Sequence, residues 1–473
     1  MISTLNVLKN KVKSIELSHY RSIRKALLFG VLIRLILALY LTHDWDFQVW
    51  HISFTDIVSG LGSPYSAMNF SYPPIWAYVL MPFASVSTFF ANPYDGLMRF
   101  NLNGFLVAGT QPLFNLLVRL PLIASEVFIG LLIYDHVLKF KNENTAHKSF
   151  ILWFLNPFVI FVSCVFGQFD VLAALMVMLA FLFFLDKKFV LCGLAIGLGA
   201  LTKLYPLYLL PIYLIFALKI DFDENRSNKA IIVKKALLHY GLIIGGLFLS
   251  LSLVVPPLLI SGSFSNFVQA VFRRTDYITS LGGISPTNLF YLFGSDVFIW
   301  LNEPGRSQLI FSILSIALFG SIGAVSLYYG FQSKMTSSHQ RFLFVHILAI
   351  VCVYLTSLMV NPQYIMWIIP FLTLCYGIYG NYFKRIIVLS FSALVFALYW
   401  IRPFNSIMVF SGVGELGTRL NQLYFSYITI IGYPLMVISG LIGAVVLISL
   451  FFPKLQLKRL FVTSNKNQLN GDI

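Results

Sequence analysis

Two carboxylates one residue apart carry the most suggestive chemistry of this chain. His43-Asp44-Trp45-Asp46-Phe47-Gln48-Val49-Trp50 follows directly on an apolar run. In an extended segment residues i and i+2 point to the same side. Such a pair can hold one member as a general base that strips a proton from an attacking hydroxyl, while the other orients it or a cation. The spacing also suits helix capping, with Asp46 as N-cap of an amphipathic stretch through Trp50, Phe54 and Ile57. Spacing alone leaves both open.

Lys203 is the next candidate, because its neighbours from Leu194 to Leu201 and from Leu204 to Ile220 are nearly all apolar and Pro206 interrupts the helix there. An ammonium at such a break can snorkel to the interface or meet a phosphate. Arg273 and Arg274 could assist it or simply be solvated. Gln168 and Asp170, in Gly167-Gln168-Phe169-Asp170, can bind a polar ligand or join two helices. Arg119 and Glu126 sit inside one apolar run, where they need inward partners. His147, His339 and His346 lack the spacing of a metal set, and neither a G-x-G-x-x-G nor a P-loop appears, so a nucleotide has no evident cradle.

These residues lie in a chain of 473, of which 58% are hydrophobic and 11% charged. A soluble domain carries about 25% charged residues. Soluble enzyme, nucleic-acid binder and disordered scaffold are thereby excluded, and a multi-pass membrane protein embedded in a lipid bilayer is expected. Cys164, Cys192, Cys352 and Cys375 all fall inside apolar runs and are expected to pack rather than pair. About 25 polar, basic residues precede the first apolar run, the wrong order for a cleaved signal peptide.

A span needs about 20 apolar residues. Candidates lie near 24–42, 113–137, 149–166, 170–186, 189–203, 204–218, 236–260, 308–330, 342–360, 363–381, 386–402 and 425–451. The expected fold is therefore all-α, a single domain over 1–473 with about twelve transmembrane helices. Pro73 to Ala91 opens on Pro73-Pro74 and holds Pro82, which makes a continuous helix doubtful and suggests a broken or re-entrant segment. With the N-terminus inside, 24 Lys and Arg fall on inner segments against 7 outside, the asymmetry of the positive-inside rule. A full crossing at 73–91 would put the Lys-rich 139–148 segment outside. The basic 1–23 segment and the 452–473 tail are then cytoplasmic, and the loops 43–112 and 261–307 lie outside together with the polar motifs.

The motifs together resemble the polytopic GT-C glycosyltransferases that use a lipid-phosphate sugar. They are similar to the catalytic-subunit family of GPI mannosyltransferase I (PIG-M) and to polyprenol-phosphate-mannose-dependent enzymes of bacteria and archaea. The resemblance rests on the Asp44–Trp50 run, Ser63-Pro64-Tyr65, Tyr72-Pro73-Pro74, Asn156-Pro157 with Gly167-Gln168-Phe169-Asp170, Lys203-Leu204-Tyr205-Pro206, and Gln363-Tyr364 with Trp367. It covers about residues 40–370, and Gly-Gln-Phe-Asp and Tyr72-Pro73-Pro74 side with the bacterial and archaeal branch.

The resemblance implies transfer of a mannosyl or related hexosyl group from a dolichyl- or polyprenyl-phosphate donor to a glycolipid or glycan acceptor, with inversion. Asp46 would be the base with Asp44 beside it, Lys203, Arg273 and Arg274 would meet the donor phosphate, and Tyr72, Gln168, Asp170, Tyr205, Gln363 and Tyr364 would line the substrates. No cofactor and no resident metal are expected, with a divalent cation left open by the D-x-D pair, and there is room for a partner subunit. A glycolipid transporter or flippase is the alternative, but it should show inverted-repeat hydropathy between two halves, and none is found.

Sidedness is directly testable. Single cysteines at positions 46, 170, 203 and 363 should react with a membrane-impermeant thiol reagent on intact cells. Labelling of position 46 only after the cytosol is opened would overturn the topology.

Overall fold

The computed structural model describes residues 20–41, 43, 46–47, 49–51, 53, 65, 70, 72–87, 97–102, 105–110, 112–225, 227–272, 282–284, 296–303, 305–331, 338–400, 423, 426 and 432–451. They are overwhelmingly helical. The order begins with α1 (Arg24–Tyr40), α2 (Ile75–Ser87), a hairpin of β1 (Leu97–Leu102) and β2 (Phe105–Thr110), α3 (Pro112–Leu138) and α4 (Glu143–Phe154). It continues with α5 (Pro157–Ile160), which runs into a π-helical turn at Phe161–Phe166, then α6 (Asp170–Leu185), α7 (Phe189–Ala200), α8 (Tyr205–Tyr208), α9 (Leu210–Glu224) and α10 (Lys229–Ile260). The last elements are α11 (Phe264–Phe272), α12 (Asp296–Leu301), α13 (Arg306–Phe331), α14 (Ser338–Thr356), a 3-10 turn at Pro362–Trp367, α15 (Ile369–Tyr379), α16 (Phe383–Trp400) and α17 (Tyr433–Ser449).

Among the described residues, five helical segments are long and apolar enough to cross a membrane: Pro112–Leu138, Tyr205–Glu224, Lys229–Ile260, Arg306–Phe331 and Ser338–Thr356. A sixth is the pair Glu143–Phe154 and Pro157–Phe166, bent by 43° at Asn156. There the Asn156 side chain accepts from the Phe158 N–H and donates to Ser390 on α16, which supplies partners where the helix breaks. The expected segment at 73–91 contains a helix of 13 residues that runs through Pro82 rather than breaking at it. At 1.5 Å per residue it is about 20 Å long, too short for a hydrocarbon core of about 30 Å.

The helices sort by what they face. α14 and α15 are buried along most of their length, whereas α10 and α13 expose Leu237, Phe248, Leu253, Ile313 and Ile316, the signature of surfaces turned to lipid. α7 and α10 approach backbone to backbone, since a Cβ on Gly193 would lie 1.8 Å from the Ile243 carbonyl oxygen. The strands are minor: β1 and β2 pair antiparallel from Leu97↔Thr110 to Leu102↔Phe105, and Gly282-Gly283 pairs parallel with Met359-Val360.

One pair of charges inside the helices is matched, as its cost in lipid requires. Arg34 of α1 meets Glu126 of α3, and both are fully buried. Its guanidinium also donates to the Gly30 carbonyl at 3.0 Å and the Phe154 carbonyl at 2.6 Å, and lies 4.0 Å above the Phe154 ring. Trp153 Nε1 donates to the Glu126 carbonyl at 2.9 Å. This node pins α1, α3 and α4 together. Removing one partner of a buried pair costs about 3–5 kcal/mol. Arg34→Met is therefore expected to lower the unfolding temperature in detergent markedly, and Arg34→Met combined with Glu126→Leu to restore part of the loss; unchanged melting of the single variant would contradict this.

Candidate active site

Asp46 is the hub of the first half of the site. It lies on a short helical turn after α1, in which the Phe47 N–H donates to the His43 carbonyl at 3.2 Å. Its carboxylate does not cap its own helix, the other role open to it from sequence. Instead Oδ2 accepts from His43 Nδ1 at 2.7 Å and from Gln168 Nε2 at 2.6 Å. Oδ1 is contacted by the Tyr72 hydroxyl at 3.4 Å. Burial would push this carboxyl up, but the charge and hydrogen bond of His43, the Gln168 amide and the Lys203 ammonium outweigh it and hold it below the usual carboxylate range. The group is a buried anion with one oxygen well supplied with donors and the other weakly supplied.

Asp170 is the hub of the second half. It begins α6 and is fully buried. Its Oδ2 accepts from Lys203 Nζ at 3.0 Å and its Oδ1 from Trp367 Nε1 at 2.8 Å. Lys203 does not snorkel to water. Its side chain is 12% exposed, and the ammonium lies 4.7 Å from the Phe169 ring centre, 5.4 Å from that of Tyr364 and 5.7 Å from that of Tyr72. A cation within about 6 Å of aromatic faces is attracted by their quadrupoles. Trp367 is sandwiched between Tyr205, at 3.9 Å between ring centres, and Tyr364, at 4.4 Å.

Two aromatic rings join the halves. Tyr72 reaches Asp46 with its hydroxyl and Lys203 with its face. Phe169 packs edge-on against Tyr72, stacks on Trp76 and faces Lys203. Trp50 completes this wall beside Phe47 and Trp76.

The backbone that presents these groups is irregular for identifiable reasons. The π-helical turn Phe161–Phe166 ends at Gly167 in the left-handed region, φ +72°. A Cβ there would come within 2.4 Å of the Phe47 ring, so glycine serves both conformation and space. The reversal puts Gln168 beside Asp46 and starts α6 at Asp170. Arg119, buried in α3, donates to the carbonyls of Ala38 (3.0 Å), Asn115 (3.2 Å), Val165 (3.0 Å) and Leu41, and its guanidinium lies 4.2 Å over Phe47. It thus satisfies the free carbonyls at the ends of α1 and of the π turn, the two segments from which Asp46 and Gln168 project.

Among the residues singled out from sequence, Asp46, Gln168 and Tyr72 meet directly, as do Asp170, Lys203 and Tyr364, while Tyr205 joins through Trp367. Gln363 is buried in the same 3-10 turn, and its Oε1, like Gln168 Oε1 and the Tyr205 hydroxyl, has no hydrogen-bond partner among the described residues. Asp44, Arg273 and Arg274 lie outside the described residues. The structure adds His43, Phe169 and the supporting role of Arg119. His43 had a legible signal, since it stands three residues before Asp46, one helical turn away. A carboxylate of this kind can take a proton, and an ammonium walled by aromatic rings can meet an anion.

Comparison with known proteins gives a family match for more than half of the chain: the model of Glycosyltransferase family 87 covers residues 70–362. The chain is 28% identical over 209 residues to GPI mannosyltransferase 1 of Dictyostelium discoideum, a stretch that is 41% of this chain and 40% of that protein. It is 28% identical over 204 residues to GPI mannosyltransferase 1 of Trypanosoma brucei brucei, 41% of each chain. With GPI alpha-1,4-mannosyltransferase I, catalytic subunit, of Danio rerio it shares 27% identity over 243 residues, 49% of this chain and 55% of the other. The chain thus spans about half or less of the length of these curated relatives.

Proposed function

The chain belongs to glycosyltransferase family 87, and from that premise we propose that it moves a mannosyl or related hexosyl group from a dolichyl- or polyprenyl-phosphate donor to a glycolipid or glycan acceptor. It is a membrane enzyme of the mannosyltransferase kind. The reading carries over from relatives named as mannosyltransferases and, in one case, as a catalytic subunit, so a partner subunit belongs to the proposal. The site is assigned to the non-cytoplasmic face, with loops 43–112 and 261–307 on that side and the 1–23 and 452–473 segments opposite.

The observation that carries the chemistry is the pairing of a buried anion and a buried cation across one aromatic wall. A sugar on a lipid phosphate already has its leaving group, and a phosphate needs little protonation when a cation stabilises the charge it acquires. The harder requirement is an acceptor hydroxyl made nucleophilic as oxocarbenium character develops. Asp46 is assigned that proton. The acceptor oxygen bonds to the anomeric carbon, the bond from that carbon to the phosphate oxygen breaks with its electron pair on phosphate, and the hydroxyl proton ends on the carboxylate. Lys203 is assigned the phosphate. Asp170 is its counter-ion, with Oδ2 3.0 Å from the ammonium. Asp44 is assigned the orientation of the acceptor or of a neighbouring donor group.

Two variants test these assignments in purified protein supplied with a lipid-phosphate mannose. Asp46→Asn keeps the shape and the Tyr72 contact but removes the base, so turnover should fall by about 10²–10⁴-fold; near-normal turnover would mean that the base is elsewhere. A charge-assisted contact is worth about 1.5–3 kcal/mol. Lys203→Met, combined with Asp170→Asn so that no bare carboxylate stays buried, should therefore lower kcat/KM for the donor about tenfold or more. An unaltered donor titration at matched melting temperature would remove Lys203 from phosphate binding.

A further inference from the structure

We propose that Gln168 selects the acceptor: its side-chain oxygen receives a hydrogen bond from the hydroxyl next to the one that is mannosylated, so the substrate must carry two neighbouring hydroxyls. The inference rests on the reading of Asp46 given above and deepens it by naming a feature of the acceptor.

Gln168 is held firmly. Its backbone N–H donates to the Val162 carbonyl at 3.0 Å across the π turn. Gly167 before it is in the left-handed region, with the Phe47 ring filling the space beside that glycine. Its Nε2 donates to Asp46 Oδ2 at 2.6 Å, and the residue is 2% exposed. A carboxylate offers only lone pairs, so the amide nitrogen must face it and the amide oxygen must turn elsewhere. That oxygen, Oε1, is buried and has no hydrogen-bond partner among the described residues. A buried amide oxygen without a donor is costly, and a substrate group that supplies one is favoured there.

What Oε1 can take is narrow. It has lone pairs and no hydrogen, so it needs a donor. The ionised phosphate and the hydrocarbon chain of a lipid-phosphate sugar offer none, whereas sugar hydroxyls do. The Tyr205 hydroxyl, by contrast, could serve either a donor or an acceptor and so selects less.

Position then decides which sugar is read. Nε2 and Oε1 share one carbon, so a group bonded to Oε1 stands beside a group bonded to Asp46. In a β-linked mannosyl phosphate the 2-hydroxyl lies on the same face of the ring as the departing phosphate. The attacking oxygen and its base approach the opposite face when the centre is inverted. The hydroxyl beside the base therefore belongs to the acceptor, on a carbon adjacent to the attacking one. It donates to Oε1 and keeps its hydrogen, while the attacking hydroxyl gives its own to Asp46.

The test is kcat/KM for mannosyl transfer by the full-length protein in detergent, with a lipid-phosphate mannose as donor. The acceptors are the octyl glycosides of mannose, glucose and glucosamine and the monodeoxy derivatives of whichever is mannosylated. In the wild type, removing one hydroxyl adjacent to the mannosylated position should lower kcat/KM about ten- to a hundredfold. Removing a hydroxyl remote from it should cost much less. Gln168→Met keeps the shape without hydrogen bonds, so it should be slower on every acceptor and its parent-to-deoxy ratio should fall to near one. Gln168→Glu keeps an oxygen that accepts, so it should keep the ratio even where its rate is lower. The ratio is read within one protein, so a merely structural loss does not move it, and if Gln168→Met does not fold, the wild type and Gln168→Glu carry the test. A wild type indifferent to both adjacent hydroxyls, an undiminished ratio in Gln168→Met or a ratio lost in Gln168→Glu would overturn the inference. A wild type that mannosylates none of the glycosides would instead overturn the functional reading, and the inference with it.

Discussion

The buried ion pair between Asp170 and Lys203 is the constraint on which the rest of the site depends. A carboxylate with no exposure, at the head of an apolar helix, must find charge and hydrogen bonds or not ionise. Here it finds Lys203 on one oxygen and Trp367 on the other. Those two partners come from turns that interrupt otherwise apolar stretches, one after α7 and one before α15. Meeting the needs of Asp170 therefore brings three helix breaks to one place, and the aromatic residues around them, Phe169, Tyr364 and Tyr205, arrive with the turns.

Broken helices are costly in lipid because each break frees backbone groups that no water can satisfy. The protein meets this cost with fixed cations and side-chain amides rather than with regular helix. Arg119 takes carbonyls from the end of α1 and from the π turn, and Asn156 caps one half of the bent pair while reaching Ser390 on α16. The effect on function is indirect but definite. The Asp46 turn and the Gln168 turn are anchored to the same guanidinium, so the hydrogen bond between Asp46 and Gln168 is set by rigid neighbours. Preorganised dipoles of this kind act on developing charge without rearranging.

The outline of this arrangement could be read from residue types. Asp46, Asp170 and Lys203 stood out because charge next to apolar runs is expensive, and Gly167-Gln168-Phe169-Asp170 because it interrupts one such run. What could not be read was who partners whom. Lys203 could have turned to water, and only the contact with Asp170 and three aromatic faces decides otherwise. The support from Arg119 was hidden because its partners are backbone carbonyls, which leave no mark in side-chain spacing. The tie from His43 was visible as an i, i+3 spacing but lay among more conspicuous carboxylates. Pro82 misled in the opposite direction, since the helix Ile75–Ser87 runs through it. The hairpin of β1 and β2 was not foreseen, since 43–112 read as a loop.

The central claim is that one carboxylate, Asp46, acts on the acceptor and that the other, Asp170, is committed to Lys203 and Trp367 and takes no part as a nucleophile. Direct displacement with a single base inverts the anomeric centre, whereas a second carboxylate attacking first would retain it. The deciding measurement is the anomeric configuration, by NMR, of the product formed from a β-linked lipid-phosphate mannose. An α-linked product is predicted. A β-linked product would contradict the account, because it would require a covalent intermediate on a second nucleophile.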